Sequence, residues 1–204
     1  MNNIKAIIFD WGGVCCAEGE PYASLELQKN LQKTPDEIQA EMKDVYCDFY
    51  RGKYTNEEFW NKVLDHFGLE ETDTVNSKSL GGAYLNSYTL WQDVLDIAKQ
   101  LQTKYKVGLL SDLTPIMRDH IRQSHNVAEY FSVEVYSCDK DVCVRKTDGP
   151  EIFNIIVKKL GVLPQECLFI DNSKDKIESG KRAGLNTLWF QNRGQFFKDI
   201  KIFL

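Results

Sequence analysis

The chain has 204 residues, 43% hydrophobic and 27% charged, which is enough for one folded core with a small insert. Its formal net charge of -5 argues against a nucleic-acid partner, because nucleic-acid binding needs a basic surface. No stretch approaches the roughly 20 consecutive apolar residues of a membrane span, so we expect no membrane partner.

The six cysteines show neither the spacing of a metal site nor that of a disulfide framework. Cys15 and Cys16 are adjacent, and no two cysteines follow a Cys-x-x-Cys pattern. The N-terminal stretch lacks the long apolar region of a secretory signal. We therefore expect reduced thiols and a cytoplasmic protein, and the sequence leaves both a monomer and a homodimer open.

The first predicted element is a short buried strand at residues 5–9 (KAIIF). The residues that follow it are helical in pattern, at 24–32, 35–50 and 55–68. Thr55 and Glu58 have the spacing of a capping box at the start of the last of these helices. The polar, glycine-containing stretch 72–87 has no predicted element. Residues 16–88 are therefore predicted to form a helical cap domain over the edge of a sheet.

The remainder of the chain alternates strand-like runs with helical patterns. The strand-like runs lie at 106–110, 133–137, 167–170 and 186–190, and the helical patterns at 90–102, 115–123, 150–160, 174–184 and 196–204. This alternation predicts a Rossmann-like α/β fold, in which a parallel sheet carries helices on both faces. We assign residues 1–15 and 89–204 to this core domain. The carboxyl ends of its strands lie along one edge, where such folds bind ligands.

Reactive or charged side chains follow four of the predicted strands. They are Asp10 after the first, Ser111 after the second, Lys146 after the third, and Asp171, Asn172 and Asp175 after the fourth. Each of them alone is common as a turn, capping or surface residue. At the carboxyl ends of neighbouring strands, however, they predict one crevice that contains an acid, a hydroxyl, an amine and an acidic cluster.

These motifs resemble those of the haloacid dehalogenase-like (HAD) hydrolase superfamily, and the resemblance covers essentially the whole chain. Asp10 in IIFDWGGV resembles the nucleophile motif, Ser111 in GLLSDLTP the second motif, and Lys146 in VRKTDGPEIF the third. Residues 167–184 are similar to the acidic fourth motif, and the insert with RGKYTNEEFW (51–60) is similar to the helical cap. Since the superfamily includes phosphatases, mutases and dehalogenases, the resemblance leaves the substrate open.

The resemblance implies a hydrolase that transfers a phosphoryl group to Asp10 and then to water. A carboxylate can attack phosphorus directly, and Mg²⁺ between the two anions removes their repulsion. The implied Mg²⁺ ligands are Asp10, the backbone carbonyl of Gly12, and the acidic loop with Asp171, Asn172 and Asp175. The implied binding residues for a small phosphorylated metabolite are Gly12, Gly13, Ser111, Asp112 and Lys146.

The sequence departs from the superfamily pattern at four places near the expected site, one of which is an extra residue in KTDGPE, directly after Lys146 in the third motif. Gly12 stands where phosphatases of this kind usually carry a second aspartate, which donates a proton to the leaving group. Asn172 stands where an aspartate usually binds the metal, so the first coordination shell loses a negative charge. Asp112 follows Ser111, where asparagine is common. Without an acid at residue 12, we expect either good leaving groups or a proton donor from the cap or substrate.

Three functions therefore remain open from the sequence. The leading one is an Mg²⁺-dependent phosphatase of a small metabolite. The second is a 2-haloacid dehalogenase, in which Asp10 displaces halide from carbon without metal or acid. The third is a non-catalytic HAD-fold protein that binds a ligand or partner, which the several altered positions favour.

Overall fold

The computed structural model describes residues 3–204, and within them five parallel strands form one sheet. The strands are β1 (Ala6–Phe9), β2 (Lys106–Ser111), β3 (Val133–Tyr136), β4 (Cys167–Asp171) and β5 (Asn186–Trp189), in the spatial order β3-β2-β1-β4-β5. The predicted Rossmann-like sheet is therefore confirmed. Because β1 lies at its centre, the chain after Phe9 leaves the sheet in the middle of its carboxyl edge.

A group of five helices follows β1 and forms the helical cap. They are α1 (Leu25–Leu31), α2 (Pro35–Glu41), α3 (Lys43–Tyr50), α4 (Asn56–Phe67) and α5 (Ser77–Leu85). The helix predicted over 35–50 is two helices, because the backbone at Met42 (φ -98°, ψ 18°) leaves helical geometry. The stretch 72–87, which has no predicted element, contains α5, and the side chain of Asn76 caps its first turn.

The cap has a hydrophobic cluster of its own, in which Phe49, Phe59 and Trp60 are fully buried. The predicted capping box of Thr55 and Glu58 is present at the start of α4. The division into a core (1–15 and 89–204) and a cap (16–88) stays a prediction. No helix within residues 3–204 has both the length and the apolar character needed to cross a bilayer.

Alternation along β1 explains why both faces of the sheet are covered. Ala6 and Ile8 point to one face and Ile7 and Phe9 to the other, and all four are fully buried. The helices packed on the Ile7 face are α6 (Gln92–Leu101), α7 (Pro115–Ser124) and α10 (Arg193–Asp199). Those on the Ile8 face are α8 (Glu151–Leu160) and α9 (Lys174–Arg182).

The cap contacts the core through the turn that follows α3. The hydroxyl of Ser137 donates to the carbonyl oxygen of Tyr50 at 2.5 Å. The guanidinium of Arg51 donates two hydrogen bonds, of 2.8 and 2.7 Å, to the carboxylate of Asp148. Gly52 has a φ of +73°, and a Cβ there would overlap the carbonyl group of Cys138. This contact holds the cap over the carboxyl edge of the sheet.

Candidate active site

Asp10 lies at the end of the central strand, and its side chain is fixed by hydrogen bonds. The backbone N–H of Asp10 donates to the carbonyl of Ile170 in β4 at 3.0 Å. Its Oδ1 accepts the N–H of Trp11 at 2.8 Å and the hydroxyl of Ser111 at 2.6 Å. With only 1% of Asp10 exposed, the carboxylate has a single defined orientation.

Lys146 is fully buried and bridges two carboxylates behind the site. Its Nζ lies 2.8 Å from Oδ2 of Asp10 and 2.6 Å from Oδ2 of Asp171. The same ammonium donates to the carbonyl of Leu110 at 3.3 Å. The structure thus brings together Asp10, Ser111, Lys146 and Asp171, four residues that the sequence analysis expected in one crevice.

The charges around Asp10 decide its ionisation. Burial alone would raise the pKa of Asp10, but the ammonium groups of Lys146 and Lys176 outweigh it and hold the pKa below its ordinary value. Burial raises the pKa of Asp171 well above its ordinary value, although Lys146 opposes the shift, and the nearby Asp10 carboxylate adds to it. Asp10 therefore stays ionised at neutral pH and can act as a nucleophile.

A cavity of about 340 Å³ lies between Asp10 and the cap. From the core it is lined by Asp10, Gly12, Ser111, Asp112, Asn172 and Lys176, and from the cap side by Glu18, Gln39, Tyr46, Tyr50 and Tyr84. Arg145 also lines it, and the Nε of this side chain is buried without a hydrogen-bond partner. The cavity thus has an ionic floor and a roof of hydroxyl and amide groups.

The other residues that the sequence placed in the site lie behind the cavity or away from it. Gly13 turns the chain at a φ of +74°, and a Cβ there would overlap the amide of Asn172. Asp175 is exposed in the first turn of α9, because the helix points this position away from the sheet. The prediction of Asp175 as a metal ligand is therefore not supported.

Lys176 is the missed residue of the site that lies nearest to the Asp10 carboxylate among the charged residues lining the cavity. Its Nζ lies 3.6 Å from Oδ2 of Asp10 and 4.0 Å from Oδ2 of Asp112. Burial acts to lower the pKa of Lys176, but these two carboxylates outweigh it and raise the pKa above its ordinary value. Gly180, four residues further along the same helix, is buried, but a lysine on a helix is ordinarily a solvated residue, so this spacing alone did not mark Lys176.

The residues present do not fit an Mg²⁺ ion well. Of the predicted ligands only Asp10, Gly12 and Asn172 line the cavity, and only Asp10 is anionic. Its Oδ2 already lies beside two ammonium groups. No group of three or more His, Cys, Asp or Glu side chains in residues 3–204 is arranged to hold a metal. A dication here would lie close to like charge, which is unfavourable in a buried site.

Comparisons with known proteins found relatives that match nearly the full length of the chain. The D-ribitol-5-phosphate phosphatase of Bacteroides thetaiotaomicron is 25% identical, over 98% of this chain and 98% of that protein. A HAD family enzyme of the same organism, crystallised with magnesium and inorganic phosphate, superposes with a TM-score of 0.77 and 22% identity over 95% of this chain and 99% of that chain. The L-2-haloacid dehalogenase of Xanthobacter autotrophicus superposes with a TM-score of 0.64 and 17% identity, over 98% of this chain and 83% of that chain.

At these identities the solved structures show a shared fold and nothing finer. A family model described as haloacid dehalogenase-like hydrolase matches residues 4–184, which is most of the chain. With the parallel sheet, the helical cap and the buried aspartate at the end of β1, the chain belongs to the haloacid dehalogenase-like hydrolase family.

Proposed function

We propose that the protein is a phosphatase that hydrolyses a small phosphorylated metabolite through an aspartyl-phosphate on Asp10. The observation that carries the proposal is the ionised Asp10 carboxylate, oriented by Ser111 at the floor of the cavity. A carboxylate oxygen bonds to phosphorus while the ester P–O bond breaks and the alcohol leaves. Water then attacks the aspartyl-phosphate, which releases inorganic phosphate and restores the carboxylate.

The neighbouring side chains have distinct roles in this reaction. The hydroxyl of Ser111, now bound to Asp10, can turn to donate to a phosphoryl oxygen. Lys146 offsets the charge of the nucleophile from behind, because it is fully buried and does not line the cavity. Dependence on Mg²⁺, which the family resemblance predicts, stays a prediction that the oxygen donors of this cavity do not favour.

Glu18 is the residue that we propose as the proton donor to the leaving alcohol. Gly12 has no side chain for this task, and a Cβ on Gly12 would lie 3.8 Å from Cγ of Glu18. Glu18 also lines the cavity and is exposed, so it can exchange protons with water. It can protonate the alkoxide in the first step and accept a proton from water in the second.

The roof of the cavity supports a polyol or sugar phosphate as substrate. Tyr46, Tyr50, Tyr84 and Gln39 present hydroxyl and amide groups to a space of about 340 Å³. Such groups hydrogen-bond to the hydroxyls of a small polar molecule. The likeness to a D-ribitol-5-phosphate phosphatase over nearly the full length supports the same substrate class.

The test is phosphate release from p-nitrophenyl phosphate and from a panel of pentitol and sugar phosphates, with and without Mg²⁺. We expect turnover by the wild-type protein and a loss of at least about 10³-fold in Asp10→Asn, since the nucleophile is removed. Asp175→Asn is the matched control and should be unaffected, because Asp175 is exposed and lies outside the cavity.

Assays of phosphate release and of halide release together separate the two alternative functions. Halide release from 2-haloacids, without phosphate release, would support the dehalogenase. No product from either panel would support a non-catalytic binding protein. Acid-quenched protein analysed by mass spectrometry should carry phosphate on Asp10, and its absence during steady turnover would contradict the aspartyl-phosphate.

A further inference from the structure

We propose that Lys176 contacts the transferring phosphoryl group and supplies the positive charge that the family resemblance assigns to a divalent cation. The protein would then work without a metal ion. This inference rests on the proposed phosphatase function, which it deepens by assigning the group that binds the phosphoryl oxygens.

The first step of the argument is the position of the ammonium. Two lysines approach Oδ2 of Asp10, Lys146 at 2.8 Å and Lys176 at 3.6 Å. Only Lys176 lines the cavity, since Lys146 is fully buried behind the carboxylate. A phosphate group that approaches Asp10 from the cavity therefore meets Lys176 and not Lys146.

The second step is that the hydrogens of this ammonium are available. Its separations from Asp10 and Asp112, 3.6 and 4.0 Å, are longer than a hydrogen bond between nitrogen and oxygen. The charge is thus held between two carboxylates without its N–H groups being used. An incoming phosphoryl oxygen can accept a hydrogen bond from Lys176 without breaking an existing one.

The third step concerns two residues of the cavity, Asn172 and Lys176, which both make the cavity less suited to a metal ion. Asn172 replaces an acid that would pair with a dication, and Lys176 places a cation in the same cavity. A metal ion on Asp10 would lie close to this ammonium, and the two cations would repel each other. One lysine therefore takes over the task of offsetting the repulsion between Asp10 and phosphate.

The binding test uses tungstate, a tetrahedral oxyanion, and the full chain treated with a chelator. Isothermal titration calorimetry should show tungstate binding to the wild-type protein and a dissociation constant at least tenfold higher for Lys176→Met. Lys174→Met is the matched control, because Lys174 lies in the same turn but packs over the ring of Trp189 at 4.5 Å. This control should bind tungstate like the wild type.

A charge-conserving variant guards against misfolding as the cause. Lys176→Arg should keep tungstate binding within a few-fold of the wild type, and thermal unfolding should show that Lys176→Met is folded. Equal tungstate affinity in Lys176→Met and the wild type would overturn the proposal. So would tungstate binding that requires added Mg²⁺.

Activity provides the second measurement. Hydrolysis of p-nitrophenyl phosphate by the wild type should be equal within twofold in chelator and in Mg²⁺, and a strict requirement for Mg²⁺ would contradict the inference. If no phosphate ester is hydrolysed under any condition, the proposed function fails. The tungstate comparison between Lys176→Met and Lys174→Met still decides whether Lys176 binds the oxyanion.

Discussion

The ammonium of Lys146 lies 2.6 Å from the carboxylate of Asp171, and neither side chain is exposed to solvent. Removing one partner from a buried ion pair leaves the other charge unpaired, which costs about 3–5 kcal/mol. We therefore expect Lys146→Met to lower the free energy of unfolding by that amount, measured by urea denaturation.

Two further variants complete this prediction. Lys159→Met, at an exposed lysine of α8, is the control and should change stability by less than about 0.5 kcal/mol. Adding Asp171→Asn to Lys146→Met should recover part of the loss, because it removes a carboxylate left without its partner. A loss below about 1 kcal/mol in Lys146→Met would contradict this account of the buried network.

Replacement of Glu18 should affect substrates according to their leaving groups. Glu18→Gln cannot donate a proton, so hydrolysis of alkyl phosphates should fall by about 10²-fold or more. Measured as kcat/KM, which reports on the first phosphoryl transfer and not on hydrolysis of the intermediate, p-nitrophenyl phosphate hydrolysis should change little, because nitrophenolate leaves without protonation. Glu20→Gln is the control, since Glu20 does not line the cavity. An equal loss of kcat/KM on both substrate types would exclude Glu18 as the proton donor.

The contact at Gly52 should be the most sensitive point between cap and core. Gly52→Ala combines a φ of +73° with an overlap on the carbonyl of Cys138, so the cap must move. Gly68→Ala is the control, because Gly68 has a φ of +62° but no neighbour within 4 Å of a Cβ. Gly52→Ala should raise KM and speed proteolysis of the cap, whereas Gly68→Ala should show only a modest stability loss. Similar behaviour of the two variants would contradict the close contact.

The ion pair between Arg51 and Asp148 should make the free energy of unfolding depend on pH in the acid range. Burial acts to raise the pKa of Asp148, but hydrogen bonds from Arg51 and from the N–H of Arg145 lower it below its ordinary value. Because the unfolded pKa is about 3.9, the pair stabilises the protein fully above about pH 4. Its contribution is lost as the pH falls through the lower folded pKa.

Asp148→Asn tests this directly by urea unfolding across the acid range. At pH 7 the variant should lose less than about 1 kcal/mol, since the pair is partly exposed. Well below pH 3 the wild type and the variant should converge. Asp141→Asn is the control, at an exposed aspartate whose lysine partner is 4.0 Å away. If the free energies of unfolding of the wild type and Asp148→Asn differed by the same amount at every pH, the proposed ionisation of Asp148 would be contradicted.

The fold was predictable because its strands are short apolar runs that are bounded by polar or turn-forming residues. All five strands appear close to the predicted residues. Two features of the cap were not predictable. Met42 is an ordinary helix-forming residue, so nothing in the pattern marks the break between α2 and α3. Gly81 and Gly82 lower the helix propensity of α5, which depends instead on packing and on the Asn76 cap.

The site residues that stand at strand ends were predictable. Those on a helix were not, because the residue at which the helix begins decides which side chains face the cavity. Asp10, Ser111 and Asp171 stand directly at strand ends, so the topology alone brings them together. Asp175 and Lys176 are neighbours, and only the start of α9 decides which of them faces the cavity. A lysine on a helix is ordinarily a solvated residue, so the pattern gave no reason to prefer it.

The contacts of Lys146 with Asp10 and Asp171 also matter for the proposed reaction. In the proposed reaction Asp10 becomes an acyl phosphate, and its carboxylate loses the negative charge that faced this ammonium. Asp171, at 2.6 Å, remains as a counterion throughout the lifetime of the intermediate. In the proposed reaction the buried ammonium of Lys146 therefore keeps a carboxylate beside it at every stage.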